Sequence, residues 1–226
     1  MITYEIEYSK CRKTIGIIVE RNKHIVVRAP EGYSPSKIAE IVASKKDWIE
    51  SKLKDERKYP DQPQRKEFVS GESLMLLGHY HKLYIRDESF HGIHFDGVSF
   101  EIARINQSEA NSLFKKWYKE YAIQFVNPLA QTYAERLGVN FHECNISEVM
   151  KYRWASCTPK GNINFNWRII KAPKSVIEYL IVHELAHLRV SNHSVEFWNI
   201  VSIQVPKYEE AKEWLRINGN LLEIDF

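Results

Sequence analysis

The stretch "IVHELAHLRVSNHSVEFW", residues 181–198, places His183, Glu184, His187 and His193 close together in an otherwise apolar run. Upstream and within it, Val176, Ile177, Leu180, Ile181, Leu185 and Leu188 recur at three- and four-residue spacing, which predicts a largely buried helix. Ser175 and Glu178 have the spacing of a capping box, with Pro173 just ahead, and predict where that helix starts. His183 and His187 then lie one turn apart on one face, their Cβ atoms about 5–6 Å from each other. Two imidazoles so placed can reach one ion at about 2.0–2.1 Å each.

Glu184 sits one position round from His183, too near in sequence to share the ion comfortably, and is placed instead to act on a water in an open coordination position. Structural zinc sites close all four positions with protein ligands, whereas catalytic sites use three and leave one for water. A third ligand is therefore expected, and His193 is the residue in range. To reach back it needs the helix to end soon after Leu188; Ser191 is a poor helix-interior residue and Asn192 tolerates the left-handed conformation that ends helices. The spacing H-E-x-x-H-x5-H equals that of metzincins in length, but Val190 stands where that class has glycine. From the chain's own His and Glu frequencies, one H-E-x-x-H arises by chance with about 4% probability, and a correctly spaced third His lowers this to about one in seven hundred. A buried helix with merely hydrogen-bonded histidines is the weaker reading, because polar groups this dense on an apolar helix need a reason for their burial and a metal supplies one.

Around this helix the chain alternates strand and helix signals. Residues 14–20 and 24–30 are β-branched runs that predict a hairpin, and 34–55 reads as a helix. Residues 55–67, polar with two prolines, predict a loop or linker, followed by strand patterns at 73–87 and 92–103. From 108 to 137 a long amphipathic helix is expected, bent near Pro128 and stopped by Gly138. Strands at 148–157 and 162–170 are joined by the turn "TPKG", and helices at 194–204 and about 207–217 close the chain. The expected class is α+β, with a strand-rich N-terminal region over 1–105 and a second domain over 106–226 that carries the H-E-x-x-H motif.

The chain's 226 residues and 44% hydrophobic content are enough for a packed core. A net charge of +3 permits nucleic-acid contact without demanding it. Cys11, Cys144 and Cys157 make no C-x-x-C pair, and an odd count fits a reducing compartment better than a disulfide scaffold. "MITYEIEYSK" lacks the basic start and apolar run of a signal peptide, and no apolar stretch nears the ~20 residues that span a bilayer. A cytoplasmic protein without membrane contact is the expectation.

"YRWASC", "GNINFNWRIIKAP", "VIEYLIVHELAHL", "NHSVEFW" and "VPKYEEAKEWL" together resemble, in that order, the YgjP-like metallopeptidase family, a relative of the SprT-like proteases within the zincin superfamily. The resemblance is dense over about 145–216 and looser upstream; Ala155 stands where glycine would be expected in an "RWGSC"-like stretch. It implies a zincin-like α+β core, zinc on His183, His187 and His193, Glu184 as base, and peptide or protein substrates.

Other residues point less specifically. Arg153, Tyr152 and Tyr208 are candidates to hold substrate or to stabilise the oxyanion on the scissile carbonyl. Asn164 and Asn166 share a strand face and could orient a ligand histidine, although alternation toward solvent explains them as well. Cys157 reads as a small hydrophobe. The strands before the motif helix could offer an edge to an extended peptide, or be paired on both sides. His79, His81, His91 and His94 form a second histidine group, but no carboxylate or cysteine completes a metal pattern there. The alternative function is a non-proteolytic zinc-containing module that binds nucleic acid or protein, in which a fourth side chain such as Cys157 or Glu196 closes the coordination.

Overall fold

A computed structural model describes residues 2–19, 23–54, 66–150 and 153–223. Contacts divide the chain into two compact units, Met1–Gln64 with Ile217–Leu221, and Arg65–Arg216 with Leu222–Phe226. In the first unit β1 (Glu5–Ser9), β2 (Gly16–Val19) and β3 (Ile25–Pro30) form a sheet in the order β1-β3-β2. The expected hairpin is the antiparallel β2–β3 pair, with Ile17 opposite Val27. Ile25, Val27 and Ala29 join Ile38, Val42 and Ile49 in a small buried cluster. The single helix expected over 34–55 is two, α1 (Pro35–Ser44) and α2 (Lys46–Leu53). The break falls at Lys45 (φ −104°, ψ 12°), where the Ser44 hydroxyl donates back to the Ile41 carbonyl at 2.8 Å, a local bond that competes with helix propagation. Most of the linker expected at 55–67 lies outside the described residues.

The second unit holds two sheets. β4 (Ser73–Leu76), β5 (His79–Arg86), β6 (Ile93–Phe95) and β7 (Ser99–Ala103) are ordered β4-β5-β7-β6. Each of the two strand runs seen in the sequence is thus a pair of strands, folded at Leu77–Gly78 and at 96–98. The boundary expected at 105/106 falls inside this unit. Leu74, Leu76, Leu83, Phe100 and Ile102 share one core with Phe114, Tyr118 and Val126 of the long helix α3 (Ala110–Leu137), so strand-rich composition does not mark a separate domain here.

Helix α3 runs uninterrupted through Pro128 and ends at Gly138, whose φ of 61° is the left-handed cap expected of that glycine. Its buried residues, Phe114, Tyr118, Ala122, Val126, Ala130 and Ala134, recur every four positions. That stripe packs against the motif helix α4 (Lys174–Ala186) and the 3-10 turn Trp167–Lys171. The second sheet, β8 (Glu143–Ser147), β9 (Ala155–Cys157) and β10 (Asn162–Asn166), has the order β8-β10-β9. Among the described residues the strand expected over 148–157 is β9, and the one expected over 162–170 turns 3-10 after Asn166. There the Asn166 side chain accepts the Arg168 N–H at 3.0 Å and its amide donates to the Met150 carbonyl at 2.9 Å. Helices α5 (Val195–Gln204) and α6 (Tyr208–Leu222) complete the chain.

One turn fixes where α4 begins. Leu77 (φ 48°) and Gly78 (φ 84°) form the β4–β5 turn, and their N–H groups donate to the carbonyls of Ile170 and Lys171 at 2.9 and 2.8 Å. A Cβ on Gly78 would lie 2.9 Å from Pro173 Cγ and 3.0 Å from Pro173 Cα. Gly78→Ala combines a positive φ with that clash and should cost about 2–4 kcal/mol, seen as a lowered urea midpoint at unchanged slope.

Alkaline pH should weaken the fold. Tyr118 is fully buried with its hydroxyl donating to the Met75 carbonyl at 2.8 Å, and burial raises its pKa far above the ordinary tyrosine value. Burial likewise pushes the Cys144 thiol up to about 11. Both groups stay neutral in the folded protein while ionising in the unfolded chain. The contribution of Cys144 is therefore complete below pH ~9 and lost as the pH rises through about 9–11, while that of Tyr118 begins to fall near pH 10 and goes on falling above it. Urea midpoints falling across that window would verify this, and Tyr118→Phe should make the fall shallower.

Candidate metal centre

The polar triad stands on an apolar floor. His183 lies in the last turn of α4, His187 is its C-terminal cap, and His193 sits just before α5. Helix α4 stops through N–H bonds from Leu188 to Leu185 O and from Arg189 and Val190 to Ala186 O. Asn192 does not adopt the left-handed conformation expected of it; its side-chain oxygen accepts the Ser194 N–H at 3.2 Å instead, tightening the turn into α5. The capping box is also absent. The helix starts at Lys174 behind Pro173 with no side-chain cap, because Val176 and Ile177 donate to the Pro173 carbonyl. Phe197, fully buried on α5, contacts all three imidazoles at ring-centroid distances of 4.9, 4.7 and 4.7 Å. Nothing in the motif spacing singles out this phenylalanine.

The ligand atoms of His183, His187 and His193 lie within 4.8 Å of one another, the one such group of three among the described residues. His81 and His94 are engaged elsewhere: His81 Nδ1 meets the Val98 carbonyl and His94 Nδ1 the Glu101 carboxylate. His187 Nδ1 faces the Val190 carbonyl at 3.2 Å. A carbonyl only accepts, so Nδ1 carries the proton and Nε2 keeps its lone pair for a metal. His183 Nδ1 lies 3.4 Å from the Tyr179 hydroxyl, and its Nε2 lies 3.0 Å from His193 Nε2. Burial, aided by the charges of His187, His193 and Lys212, pushes the His183 pKa down to about 3. Burial also lowers that of His187, opposed by the Val190 carbonyl. Neutral imidazoles with converging lone pairs are the form that binds a divalent cation, so this donor set fits one.

Glu184 is 5% exposed and belongs to the same helix. Burial raises its pKa to about 7, against the lowering effects of the Arg153 charge and a hydrogen bond from the Cys157 N–H. The bond to Cys157 ties Glu184 to β9, which lies against α4 and, among the described residues, pairs only with β10. β9 is thus a free edge beside the site. Cys157 contributes its backbone here; burial, and then the Glu184 charge, raise its thiol pKa.

Arg153 is exposed at the start of this edge, and Tyr152 lies outside the described residues. Tyr208 stacks on Trp198 at 5.2 Å and on Tyr179 at 6.5 Å. Asn166 is buried and committed to Met150 and Arg168, so the ligand histidines take their second partners from Tyr179 and Val190 rather than from it. Asn164 lies in the middle of β10, paired in register with Ser156 and Asn145. Tyr179, four residues before His183 on α4, is a contributor that helical spacing could have revealed; Lys212 is one of many lysines, and only the packing of α6 brings it here.

His183 and Glu184 on α4, His187 at its C-terminal cap and His193 just before α5 thus make a site of three imidazoles and a buried carboxylate that could hold a metal ion. The model of the YgjP-like metallopeptidase domain matches residues 13–218, and the chain belongs to that family. No curated protein matches the chain. Among solved structures, the metallopeptidase zymogen abylysin of Pyrococcus abyssi is 22% identical at a TM-score of 0.36, with 41% of this chain and 95% of that one covered. The zymogen jannalysin of Methanocaldococcus jannaschii is 23% identical at 0.35, with 42% and 96% covered. Among the described residues no helix is long and apolar enough to cross a membrane.

Proposed function

We propose that this chain is a zinc-dependent peptidase of zincin-like design in which His183, His187 and His193 hold the ion and Glu184 is the general base. The observation that carries this is the convergence of three imidazoles beside one buried carboxylate. Three histidine ligands suit zinc, which when bound polarises a carbonyl and lowers the pKa of a coordinated water to ~7. Glu184 takes a proton from the attacking water and returns it to the leaving amine. Its burial favours the uncharged, proton-holding state, while Arg153 and the Cys157 N–H hold the carboxylate in place. The edge of β9, unpaired among the described residues, supports an extended peptide laid alongside it by backbone pairing, and the effect of the Arg153 charge on Glu184 supports a role for that arginine at the developing oxyanion.

The first test is a search for new peptide N-termini by mass spectrometry in a denatured cell extract, with and without DNA. Zinc-loaded wild type and Glu184→Gln are compared. Cuts made by the wild type alone support the peptidase and its preferences. Identical patterns with zinc bound in both would favour the non-proteolytic zinc-containing module that binds nucleic acid or protein.

Tyr179 orients a ligand in this scheme. Tyr179→Phe keeps the ring packing and deletes the hydroxyl facing His183 Nδ1. Zinc affinity should fall about tenfold, measured by competition with a chromophoric chelator.

A further inference from the structure

Helix α6 brings a cation to the edge of the metal centre. Trp198 of α5 meets His183 and His193 at 5.9 and 5.7 Å between ring centroids. Tyr208 stacks on that indole, and Lys212, one turn further along α6, holds its ammonium 4.9 Å from the centre of the same ring. Lys212 is thus one aromatic ring from two ligand histidines. The carboxylate of Glu209 lies 3.8 Å from Lys212 Nζ, and its interaction with Tyr208 raises the pKa of that phenol. A lysine stem laid over an indole keeps its charge in one place, where a free surface lysine would sample many rotamers.

We infer that Tyr208 and Lys212 form a carboxylate-binding subsite beside the metal centre, which reads a free C-terminal carboxylate or an Asp or Glu side chain of the peptide near the scissile bond. Glu209 fills this subsite when no substrate is present, and the incoming carboxylate displaces it. The exchange of one exposed carboxylate for another costs little, because Glu209 is about two-thirds exposed and returns to water. The inference rests on the peptidase reading for the placement of the peptide, and it adds a substrate class to that reading.

The test uses pairs of synthetic peptides that differ only in a C-terminal acid or amide, or in Asp against Asn and Glu against Gln at positions flanking the cut. Binding is measured by fluorescence anisotropy on the zinc-loaded Glu184→Gln chain, and cleavage on the wild type. At least one acid form should bind about fivefold to tenfold more tightly than its neutral partner, and the pair that discriminates identifies the source of the carboxylate. Lys212→Gln should bring that ratio near one with zinc content unchanged, while Lys212→Arg keeps it. Equal binding of every acid and neutral pair, or discrimination that survives Lys212→Gln, overturns the subsite. Discrimination that Lys212→Gln abolishes in a chain whose wild type cuts nothing would support the subsite and remove the peptidase reading instead.

Discussion

Glu184→Gln should leave one zinc bound per chain and lower kcat/KM by about a thousandfold or more. The side chain is 5% exposed on a helix whose neighbours are packed, and glutamine has the same shape. Its amide oxygen can still accept the Cys157 N–H that the carboxylate now accepts. What it cannot do is take up a proton, and general acid–base groups contribute about 10²–10⁴-fold. The metal-free variant supplies an independent check. Burial raises the folded pKa of Glu184 to about 7 from an ordinary carboxylate value, so the wild type loses stability as the pH rises through about 4.5–7. The variant has no such loss. At pH 8 the metal-free variant should therefore be more stable by on the order of 2–3 kcal/mol, visible in thermal unfolding. Turnover retained by Glu184→Gln would remove it from the role of base.

His183→Ala should abolish stoichiometric zinc binding and all detectable peptidase activity while the chain stays folded. His183 contacts both other histidines and three aromatic neighbours, Tyr179, Phe197 and Trp198. Without it two imidazoles remain, one of them exposed, and affinity should fall by well over a hundredfold. The fold has other support. Phe100, Phe114, Tyr118, Phe165 and Trp167 are fully buried and belong to a core that also takes in α4 and the four-stranded sheet. Chelation of the wild type should accordingly silence the enzyme and leave its far-ultraviolet circular dichroism at 25 °C unchanged. Cooperative unfolding on chelation would instead mark the metal as structural and favour the zinc-containing binding module.

Where local spacing carried the information, the sequence was legible. The hairpin of β2 and β3, the long helix stopped by Gly138, the β9–β10 hairpin and the helix bearing His183 were all readable from periodicity and turn residues. Legibility failed where a side chain chose between a local partner and the regular pattern. Ser44 bonds back and splits one expected helix; Asn166 caps a 3-10 turn where a strand would have continued. Pro173 replaces the expected capping box because its carbonyl already receives two N–H groups.

The sequence by itself determined which three histidines could meet, since two lie one helical turn apart and the third follows a short break. Tyr179 and Val190 meet His183 and His187 from four and three residues away along the chain, whereas the burial of Glu184, the floor provided by Phe197 and the arrival of Lys212 over Trp198 were decided by tertiary structure. Those properties depend on which helix faces pack together. Side-chain spacing fixes what lies on one helix, but the desolvation and charge felt by a group come from residues far away in the chain.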